Sequence, residues 1–506
     1  MIEIQQGKQP IAVVGAGTMG AGIAQVIANA GHEVILYDAQ DGAVERAVDG
    51  ISVSLKKRVD RGRITEADRT SILSRITHAG SLQDVAPAPL VVEAVAEDLT
   101  IKLELLSALE TVCSGETVFA TNTSSLSVTE LASVLRDPTR LVGLHFFNPA
   151  PAMKLVEVVS GRATAEEIAQ QIGFLAGSWG KHCVHTKSTP GFIVNRVARP
   201  FYAEALRLLQ EQVVDPATLD AIMRECGGYK MGPLELMDLI GHDINYAVTR
   251  SIYNAYYQDS RFKPSLLQKD LIDAGYLGRK SGRGFYDYSK HAIPEKPREL
   301  GPQEHPGRVT VKGHLGVASA LRVLISKAGL EVAQEEGEGS LEFDGITLAM
   351  TDGRTATERS AAENNKELVL FDLALDYTTS KRIALTRADQ SRQGSLEQAA
   401  GLFQAIGKSV STIDDAPGMV VMRTVCMLAN EGADAVNQGV CDVKAVDTAM
   451  RFGTGYPIGP LGWADRIGIR YVADTLRNLQ RSYAEDRYRI SPLLRRKSYS
   501  GLDFYT

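Results

Sequence analysis

Cysteine is scarce in this sequence, and the few cysteines present are scattered. Only five occur among 506 residues, no two of them lie in a Cys-x-x-Cys spacing, and their number is odd. Disulfide frameworks and structural zinc sites need paired or clustered cysteines. We therefore expect neither, no bound metal, and a reducing compartment.

Long apolar runs and an excess of positive charge are missing as well. No stretch approaches the ~20 uninterrupted apolar residues that a membrane-spanning helix needs, and the first ten residues, MIEIQQGKQP, lack the apolar core of a signal peptide. The formal net charge of −6 gives no electrostatic footprint for nucleic acid or an anionic membrane. These absences favour a cytoplasmic protein of several domains, without nucleic-acid or membrane partners.

The chain opens with the pattern of a dinucleotide-binding βαβ unit. An apolar strand at 11–14 runs into a glycine turn, a helix at 21–30 follows, and a second strand at 33–37 ends at Asp38. In such turns one glycine allows the tight bend, the second admits a pyrophosphate and the third packs the helix on the sheet. A carboxylate at the end of the second strand accepts hydrogen bonds from the ribose and favours NAD over NADP. The predicted cofactor-binding residues are Gly15, Gly17, Thr18, Met19, Gly20 and Asp38; the alternative is a glycine turn used only for packing.

Further along, strands alternate with helices up to about residue 187. Strand-like runs recur at 90–95, 117–120, 141–147 and 154–159, which indicates a doubly wound α/β sheet. From Pro190 the pattern becomes helical, beginning with a long helix predicted over 191–211.

An internal repeat predicts the remaining architecture. PGFIVNR at 190–196 recurs as PGMVVMR at 417–423, and the same offset of 227 relates 232–241 to 459–468. A fainter echo of the first strand and its turn appears at 309–316, with Leu315 in place of Gly17 and Ala318 in place of Gly20. Without those glycines a pyrophosphate cannot approach the backbone. We thus expect a Rossmann-type domain (1–187), an all-α domain (188–290), a linker (291–306), a degenerate, shortened Rossmann-like domain (307–412) and a second all-α domain (413–506).

Two side chains suggest proton-transfer chemistry. His145 ends an apolar strand, and Glu157 lies within the next one, where a carboxylate is costly unless it is paired. A carboxylate can orient the imidazole and stabilise its charged form, while the ring takes a proton near neutral pH. A histidine at such a position can also be an ordinary core residue.

Two more polar residues are candidates for holding a reacting oxygen. Ser124 follows a strand end, where ligands bind in such folds, although it could instead cap the following helix. Asn195 begins the helical part and could face the same pocket, although it could also be a helix-surface residue.

The motifs GAGTMGAGIA, TNTSSL, HFFNPAPAMKLVEVV and PGFIVNR together resemble the 3-hydroxyacyl-CoA dehydrogenase family. The resemblance covers residues 10–290 as one complete copy and continues as a degenerate copy to residue 506. It implies His145 as general base, Glu157 as its partner, and Ser124 and Asn195 at the substrate oxygen. It also implies Glu97 and Lys102 on the nicotinamide side, with Asn122 and Asn148 lining the same cleft. Met422 replaces Asn195 in the second copy, so we expect one active site per chain.

The resemblance further implies a binding surface for CoA and a role for the duplication. Lys56 and Lys57, with neighbouring Arg58, Arg61 and Arg63, are the candidate partners of the CoA phosphates; a solvated charged face is the alternative. The tandem helical domains are expected to form an intrachain pseudo-dimer, and the chain could pair again as a homodimer.

The expected reaction is the NAD-dependent oxidation of a (3S)-3-hydroxyacyl-CoA to the 3-ketoacyl-CoA. The long, duplicated layout resembles the branch of the family that oxidises 3-hydroxyadipyl-CoA in phenylacetate catabolism. Three alternatives stay open: a 3-hydroxybutyryl-CoA dehydrogenase, a catalytically silent, crystallin-like structural relative, and a β-hydroxyacid dehydrogenase acting on a free acid.

Overall fold

The computed structural model describes residues 9–506, which divide into two compact units. One unit contains residues 9–196 and 439–454, and the other contains residues 197–438 and 455–506. Within 9–506, no helix combines the length and the apolar character needed to cross a membrane.

The first unit is built on an eight-stranded sheet with the strand order β3-β2-β1-β4-β5-β6-β7-β8. Every neighbouring pair is parallel except β6 and β7, which are antiparallel. The elements are β1 (Ile11–Val14), α1 (Thr18–Asn29), β2 (Val34–Tyr37), α2 (Ala43–Asp60), α3 (Glu66–Ser74), β3 (Ile76–His78), β4 (Leu90–Glu93), α4 (Leu99–Val112), β5 (Val118–Thr121), α5 (Val128–Leu131), β6 (Leu141–Phe146), β7 (Leu155–Ser160), α6 (Glu166–Ser178), β8 (His182–Lys187) and α7 (Val194–Val197). The predicted α/β Rossmann-type class is confirmed.

Helices cover both faces of this sheet. Buried side chains of α1, α2, α3 and α6 form one core cluster with the strands, and those of α4 and α5 form another on the opposite face. Strands buried on both sides are apolar at nearly every position, because each residue faces a layer of helices. The parallel strands β1, β4, β5 and β6 end at the same edge, and polar side chains of the site follow these ends.

The predicted long helix over 191–211 is wrong. Gly191 and Phe192 both have positive φ, so the helical backbone starts only at α7. A break at Ala198 separates α7 from the next helix, α8 (Arg199–Gln210), which carries Pro200 in its first turn. Proline is tolerated there because the first turn has no intrahelical acceptor for its missing N–H.

The second unit contains most of the two helical copies and a seven-stranded sheet. After α8 its elements continue as α9 (Pro216–Glu225), α10 (Pro233–Ile240), α11 (His242–Ala255), α12 (Leu266–Asp273), β9 (Arg308–Lys312), α13 (Ala320–Lys327), β10 (Glu331–Glu335), β11 (Ser340–Phe343), β12 (Ile346–Met350), α14 (Ala356–Glu363), β13 (Leu368–Phe371), β14 (Arg382–Arg387), α15 (Gly394–Ala405), β15 (Ser409–Thr412), α16 (Val421–Asn437), α18 (Pro460–Ile467), α19 (Ile469–Tyr483) and α20 (Pro492–Ser500). Helix α17 (Val443–Gly453) belongs to the first unit, where it packs on β8 and β7.

The second sheet is a reduced version of the first. Its order is β10-β9-β11-β12-β13-β14-β15, with β11 antiparallel to both neighbours. At its degenerate turn Leu315 and Ala318 are buried, and the helix begins only at Ala320. A leucine side chain thus packs inward where the first copy has a glycine.

Ion pairs join the two helical copies inside the second unit. Arg423 Nε donates to Glu204 Oε2 at 2.6 Å, and Arg261 Nη1 donates to Glu431 Oε2 at 3.1 Å. All four side chains are at least 97% buried. Charged groups in such surroundings need partners, because an unpaired buried charge is strongly destabilising.

Candidate active site

The glycine turn after β1 has the shape that a dinucleotide requires. Gly15 has a φ of +105°, and a Cβ there would meet the Ala94 carbonyl oxygen at 2.6 Å. A Cβ at Gly20 would collide with the Gly15 carbonyl oxygen, whereas one at Gly17 would meet nothing within 4 Å. The turn is therefore tight and closely packed, and open where a pyrophosphate would lie against the helix N-terminus.

Asp38 holds this turn from the neighbouring strand. Its Oδ2 accepts a hydrogen bond from the Ala16 amide at 2.6 Å, and its Oδ1 accepts one from the Gln40 amide at 2.8 Å. Asp38 also lines an open cleft of about 600 Å³ together with Gly15, Gly17 and apolar side chains of α4. Such a slot, apolar with a carboxylate at its rim, suits an adenosine whose ribose meets the acid.

His145 and Glu157 form a direct pair across the antiparallel strands β6 and β7. The two residues are register partners, so their side chains lie on the same face of the sheet. His145 Nδ1 lies 2.7 Å from Glu157 Oε2, and both side chains are at least 94% buried. A carboxylate can only accept, so Nδ1 carries the proton and the lone pair is on Nε2. The ring is thus oriented as an acceptor towards the cleft that it lines.

The second oxygen of Glu157 anchors the chain that carries Asn195. Oε1 accepts hydrogen bonds from the Ile193 amide at 2.9 Å and the Val194 amide at 3.0 Å. One fully buried carboxylate therefore connects the histidine with the first turn of α7. Asn195, half-buried, lines the same cleft as His145.

Glu97 holds the loop that bears Ser124. Its Oε1 accepts hydrogen bonds from the Ser124 amide at 2.8 Å and hydroxyl at 3.1 Å, and from the Ser125 amide at 2.9 Å. Burial raises the pKa of Glu97, but the nearby Lys102 and the hydroxyl and amide donors outweigh it and leave this pKa below the usual 4.5. The cap of α5 is Ser127 rather than Ser124, so Ser124 has no capping role.

The carboxyl edge of the sheet opens into a cleft of about 500 Å³. Most of the residues predicted for the site meet here: Gly17, Thr18, Met19, Glu97, Asn122, Ser124, His145, Asn148 and Asn195. Asn122 also fixes the end of β6, because its Oδ1 accepts the Phe146 amide at 2.8 Å. The cleft combines a basic ring nitrogen with hydroxyl and amide donors, which is what removing a proton from an alcohol and holding its oxygen require.

Lys102 lies behind this cleft rather than on its wall. Its side chain is 1% exposed, and Nζ lies 2.6 Å from Glu93 Oε1 and 3.5 Å from Glu97 Oε2. Its position indicates that it holds the two carboxylates in place, so any effect on a cofactor passes through Glu97.

The basic helix α2 is placed beside a second cleft, of about 530 Å³. The cleft is lined by Arg46 and Ser54 from α2, by Asp38 and by Pro149. Lys56 and Lys57 are exposed on the same helix, and Lys56 lies 3.3 Å from Asp60. Sequence reasoning overlooked Arg46, although positions 43, 46, 47, 50 and 54 share one helical face.

Comparisons with known proteins agree with this geometry. Residues 10–189 match the 3-hydroxyacyl-CoA dehydrogenase NAD binding domain, 191–288 and 418–502 match the C-terminal domain of that family, and 348–417 match the 3-hydroxybutyryl-CoA dehydrogenase reduced Rossmann-fold domain. The chain is 43% identical to the 3-hydroxyadipyl-CoA dehydrogenase of Escherichia coli (strain K12), over 97% of each chain. It is 40% identical to a probable 3-hydroxybutyryl-CoA dehydrogenase of Bacillus subtilis (strain 168), over 57% of this chain and 99% of the relative.

The structural comparison spans both copies. A crystal structure named 3-hydroxybutyryl-CoA dehydrogenase from Escherichia coli K12 covers 97% of this chain and 98% of its own, with 42% identity and a TM-score of 0.89. Sequence and fold thus agree over nearly the whole length of the chain, which belongs to the NAD-dependent 3-hydroxyacyl-CoA dehydrogenase family.

Proposed function

We propose that this chain oxidises (3S)-3-hydroxyacyl-CoA thioesters to 3-ketoacyl-CoA, with 3-hydroxyadipyl-CoA as the substrate. The observation that carries the chemistry is the His145–Glu157 pair, which presents an acceptor nitrogen to the cleft. The full-length similarity to a relative named 3-hydroxyadipyl-CoA dehydrogenase supports this choice of substrate. The alternative, 3-hydroxybutyryl-CoA, is supported by the shorter relatives and by the name of the similar crystal structure.

In the proposed mechanism His145 Nε2 takes the proton of the 3-hydroxyl group. Glu157 stabilises the imidazolium that results, because its Oε2 is already hydrogen-bonded to Nδ1. Ser124 and Asn195 hold the oxygen as it becomes a carbonyl. Gly15, Gly17, Gly20 and Asp38 would hold NAD, which would supply the acceptor for the hydride of C3.

The surroundings of the pair support this role. Phe147 packs on the imidazole at a ring-centroid distance of 4.4 Å, and Phe192 lies at 5.8 Å. Apolar rings restrict water around a proton-transferring nitrogen and strengthen its interaction with Glu157. A catalytically silent structural relative would have no need for Ser124, His145, Glu157 and Asn195 together.

Acyl-CoA binding is proposed to use the basic helix α2. Lys56 and Lys57 are the partners we assign to the CoA phosphates, with Arg46 as an addition from the cleft beside them. For the long chain we propose that the paired helical copies, 188–290 and 413–506, replace the partner subunit of a dimer. The buried pairs Arg423–Glu204 and Arg261–Glu431 support this arrangement. We also propose a cytoplasmic location, in keeping with five free cysteines.

The test is an absorbance assay in which the purified chain consumes NADH in the presence of acetoacetyl-CoA. Turnover is expected, and a substrate series from C4 acyl-CoA to 3-hydroxyadipyl-CoA should then show the highest kcat/KM for the dicarboxylic substrate. A higher value for 3-hydroxybutyryl-CoA would favour the alternative substrate. No turnover with any member of the series, while NADH still binds, would refute the enzymatic role.

A further inference from the structure

A cavity inside the second unit, apart from the residues of the active-site cleft, is rich in arginine. It has a volume of about 330 Å³ and lies between α8, α11 and the segments that precede α12 and α20. Five cationic side chains line it against two carboxylates, Glu211 and Glu485; the cations are Arg199, Arg207, Arg261, Lys263 and Arg487. This charge balance favours an anionic occupant.

Several of these cations are already engaged by acids. Arg207 donates to both oxygens of Glu485, at 2.7 and 2.6 Å. Arg261 donates to Glu431 at 3.1 Å and to Asp434 at 2.5 Å. These two arginines are therefore largely neutralised by their own carboxylate partners, and they frame the cavity rather than attract a ligand.

Arg487 is different, because a buried nitrogen of its guanidinium has no hydrogen-bond acceptor among the described residues. The side chain is more than nine-tenths buried, and its Nη1 lies 4.0 Å from Glu204 Oε1, which is beyond hydrogen-bond distance. Its buried Nε finds no acceptor among the described residues. Glu204 Oε2 accepts from Arg423 at 2.6 Å, and Glu204 Oε1 has no hydrogen-bond partner among the described residues. A buried guanidinium in this situation requires an acceptor, and an anionic oxygen would supply it.

Arg199 supplies a second cation from α8. It is 95% buried and donates to the Thr249 hydroxyl at 2.9 Å, and Thr249 in turn donates to the Asn245 carbonyl oxygen at 3.0 Å. Burial lowers the pKa of this guanidinium. Tyr202 lies beside it, with the guanidinium 4.9 Å from the ring centroid.

The duplicated copy shows that the fold does not need these polar groups. At the offset of 227, the positions of Arg199, Asn245 and Thr249 are held by Cys426, Val472 and Leu476. Those three residues are fully buried in the second copy. Since apolar side chains serve at the same positions of the same domain, the polar cluster of the first copy has a purpose other than stability.

We propose that this cavity binds the carboxylate group of a small organic acid, with Arg199 and Arg487 as its cationic partners. A volume of about 330 Å³ is at the lower end of the range of roughly 300–1,000 Å³ found for ligand pockets, so the site accepts a short acyl or dicarboxylate group and excludes a whole cofactor. Planar guanidinium groups bind carboxylates through paired hydrogen bonds. The carboxylate belongs to a free dicarboxylate that acts as an effector.

Two variants of the full chain test the site. Arg199→Met removes one cation with little change of volume. The triple variant Arg199→Cys/Asn245→Val/Thr249→Leu copies the apolar packing of the second helical copy, and it is therefore expected to fold even if the single variant does not. Arg308→Met, at a 61% exposed side chain on β9, is the control for loss of an arginine.

Binding is measured first with adipate, using butyrate and inorganic phosphate for comparison, by the shift of the melting temperature. Adipate is expected to stabilise the wild type and the control, and to bind at least tenfold more weakly to both cavity variants. This readout needs no turnover, so it can succeed or fail independently of the proposed enzymatic function.

Kinetics then tests the effector role. Added adipate is expected to change the rate of the wild type and of the control, and to leave the rate of the cavity variants unaffected. The proposal is overturned if the cavity variants match the wild type in adipate binding and in the response of their rate to adipate.

Discussion

Glu157 and Asp372 accept hydrogen bonds from backbone amides at equivalent positions of the two copies. Glu157 Oε1 accepts from Ile193 and Val194, and Asp372 Oδ2 accepts at 2.9 and 2.8 Å from the amides of Val420 and Val421, each 227 residues further on. Glu157 lies within β7 and Asp372 directly follows β13, and each holds the start of a helical copy. At the same offset of 227, Asp372 stands at the position of His145 and Ala384 at the position of Glu157. The second copy therefore holds its helical segment with a carboxylate from the strand that corresponds to β6, and it has no histidine there, so the anchoring role of a carboxylate is separable from its catalytic role.

This relationship predicts different consequences for two matched amide substitutions. Glu157→Gln should lower kcat by about 10²–10⁴-fold, since the imidazolium loses its negative partner. Asp372→Asn should leave kcat within twofold. It should lower the free energy of unfolding by about 1–3 kcal/mol, because the buried backbone N–H groups that donate to Asp372 lose their anionic acceptor. Steady-state kinetics and urea unfolding of both variants provide the comparison. Equal losses of kcat in the two would contradict the separation of roles.

His145 is expected to be required for the chemical step and dispensable for binding the cofactor. His145→Gln should reduce kcat at least 10²–10⁴-fold, the usual contribution of general-base assistance, with the affinity for NADH unchanged in fluorescence titrations. His78→Gln, at a half-exposed histidine on β3, is the control. A His145→Gln enzyme with normal turnover would refute the role of the pair.

The ionisation of Glu97 should make the stability of the folded protein depend on pH in acidic solution. Its folded-state pKa is below 4.5, so its ionised form stabilises the folded protein above the unfolded-state pKa, and that contribution is lost as the pH falls through the folded-state pKa. Glu97→Gln should therefore melt at a lower temperature than the wild type near pH 7, and the gap should narrow as the pH falls below 4.5. Melting temperatures across this range are the measurement, and a gap that stays constant or widens in acid would count against the ionised clamp on Ser124.

The basic helix α2 is expected to contribute to acyl-CoA binding alone. Lys56→Glu/Lys57→Glu should raise KM for acyl-CoA at least tenfold and leave KM for NAD within twofold, because phosphate attraction is replaced by repulsion. Lys366→Glu/Lys381→Glu changes the net charge equally at two exposed lysines of the second unit and serves as the control. If the control raises KM as much as the α2 variant, long-range charge rather than a binding site explains the effect.

Breaking the buried ion pair between the helical copies should lower the free energy of unfolding far more than breaking an exposed pair. Glu204→Ala leaves the fully buried Arg423 without its carboxylate, which is expected to cost about 3–5 kcal/mol of unfolding free energy. The exposed pair Arg308–Glu331, at 3.6 Å, is the comparison, and Glu331→Ala should cost at most about 1 kcal/mol. Similar losses in the two variants would show that the copies do not depend on each other through Glu204.

The sequence by itself determined the features that depend on local chemistry. The glycine turn, Asp38 and the repeat at 227 residues were readable because φ preferences, strand–turn–helix order and a constant offset are properties of neighbouring residues or of one register. The same reasoning predicted the fold class and named Ser124, His145 and Asn195 of the cleft, whereas Glu97, Asn122 and Asn148 were implied by the family resemblance.

Only the tertiary structure decided how those residues are used. The antiparallel register made His145 and Glu157 direct neighbours, burial placed Lys102 behind Glu97, and positive φ at Gly191 and Phe192 delayed the helix that carries Asn195. Arg199 and Thr249 are 50 residues apart, and their contact depends on which faces of α8 and α11 pack together. Periodicity shows that a residue is buried or on a helical face, whereas its partner depends on long-range packing that no local pattern contains.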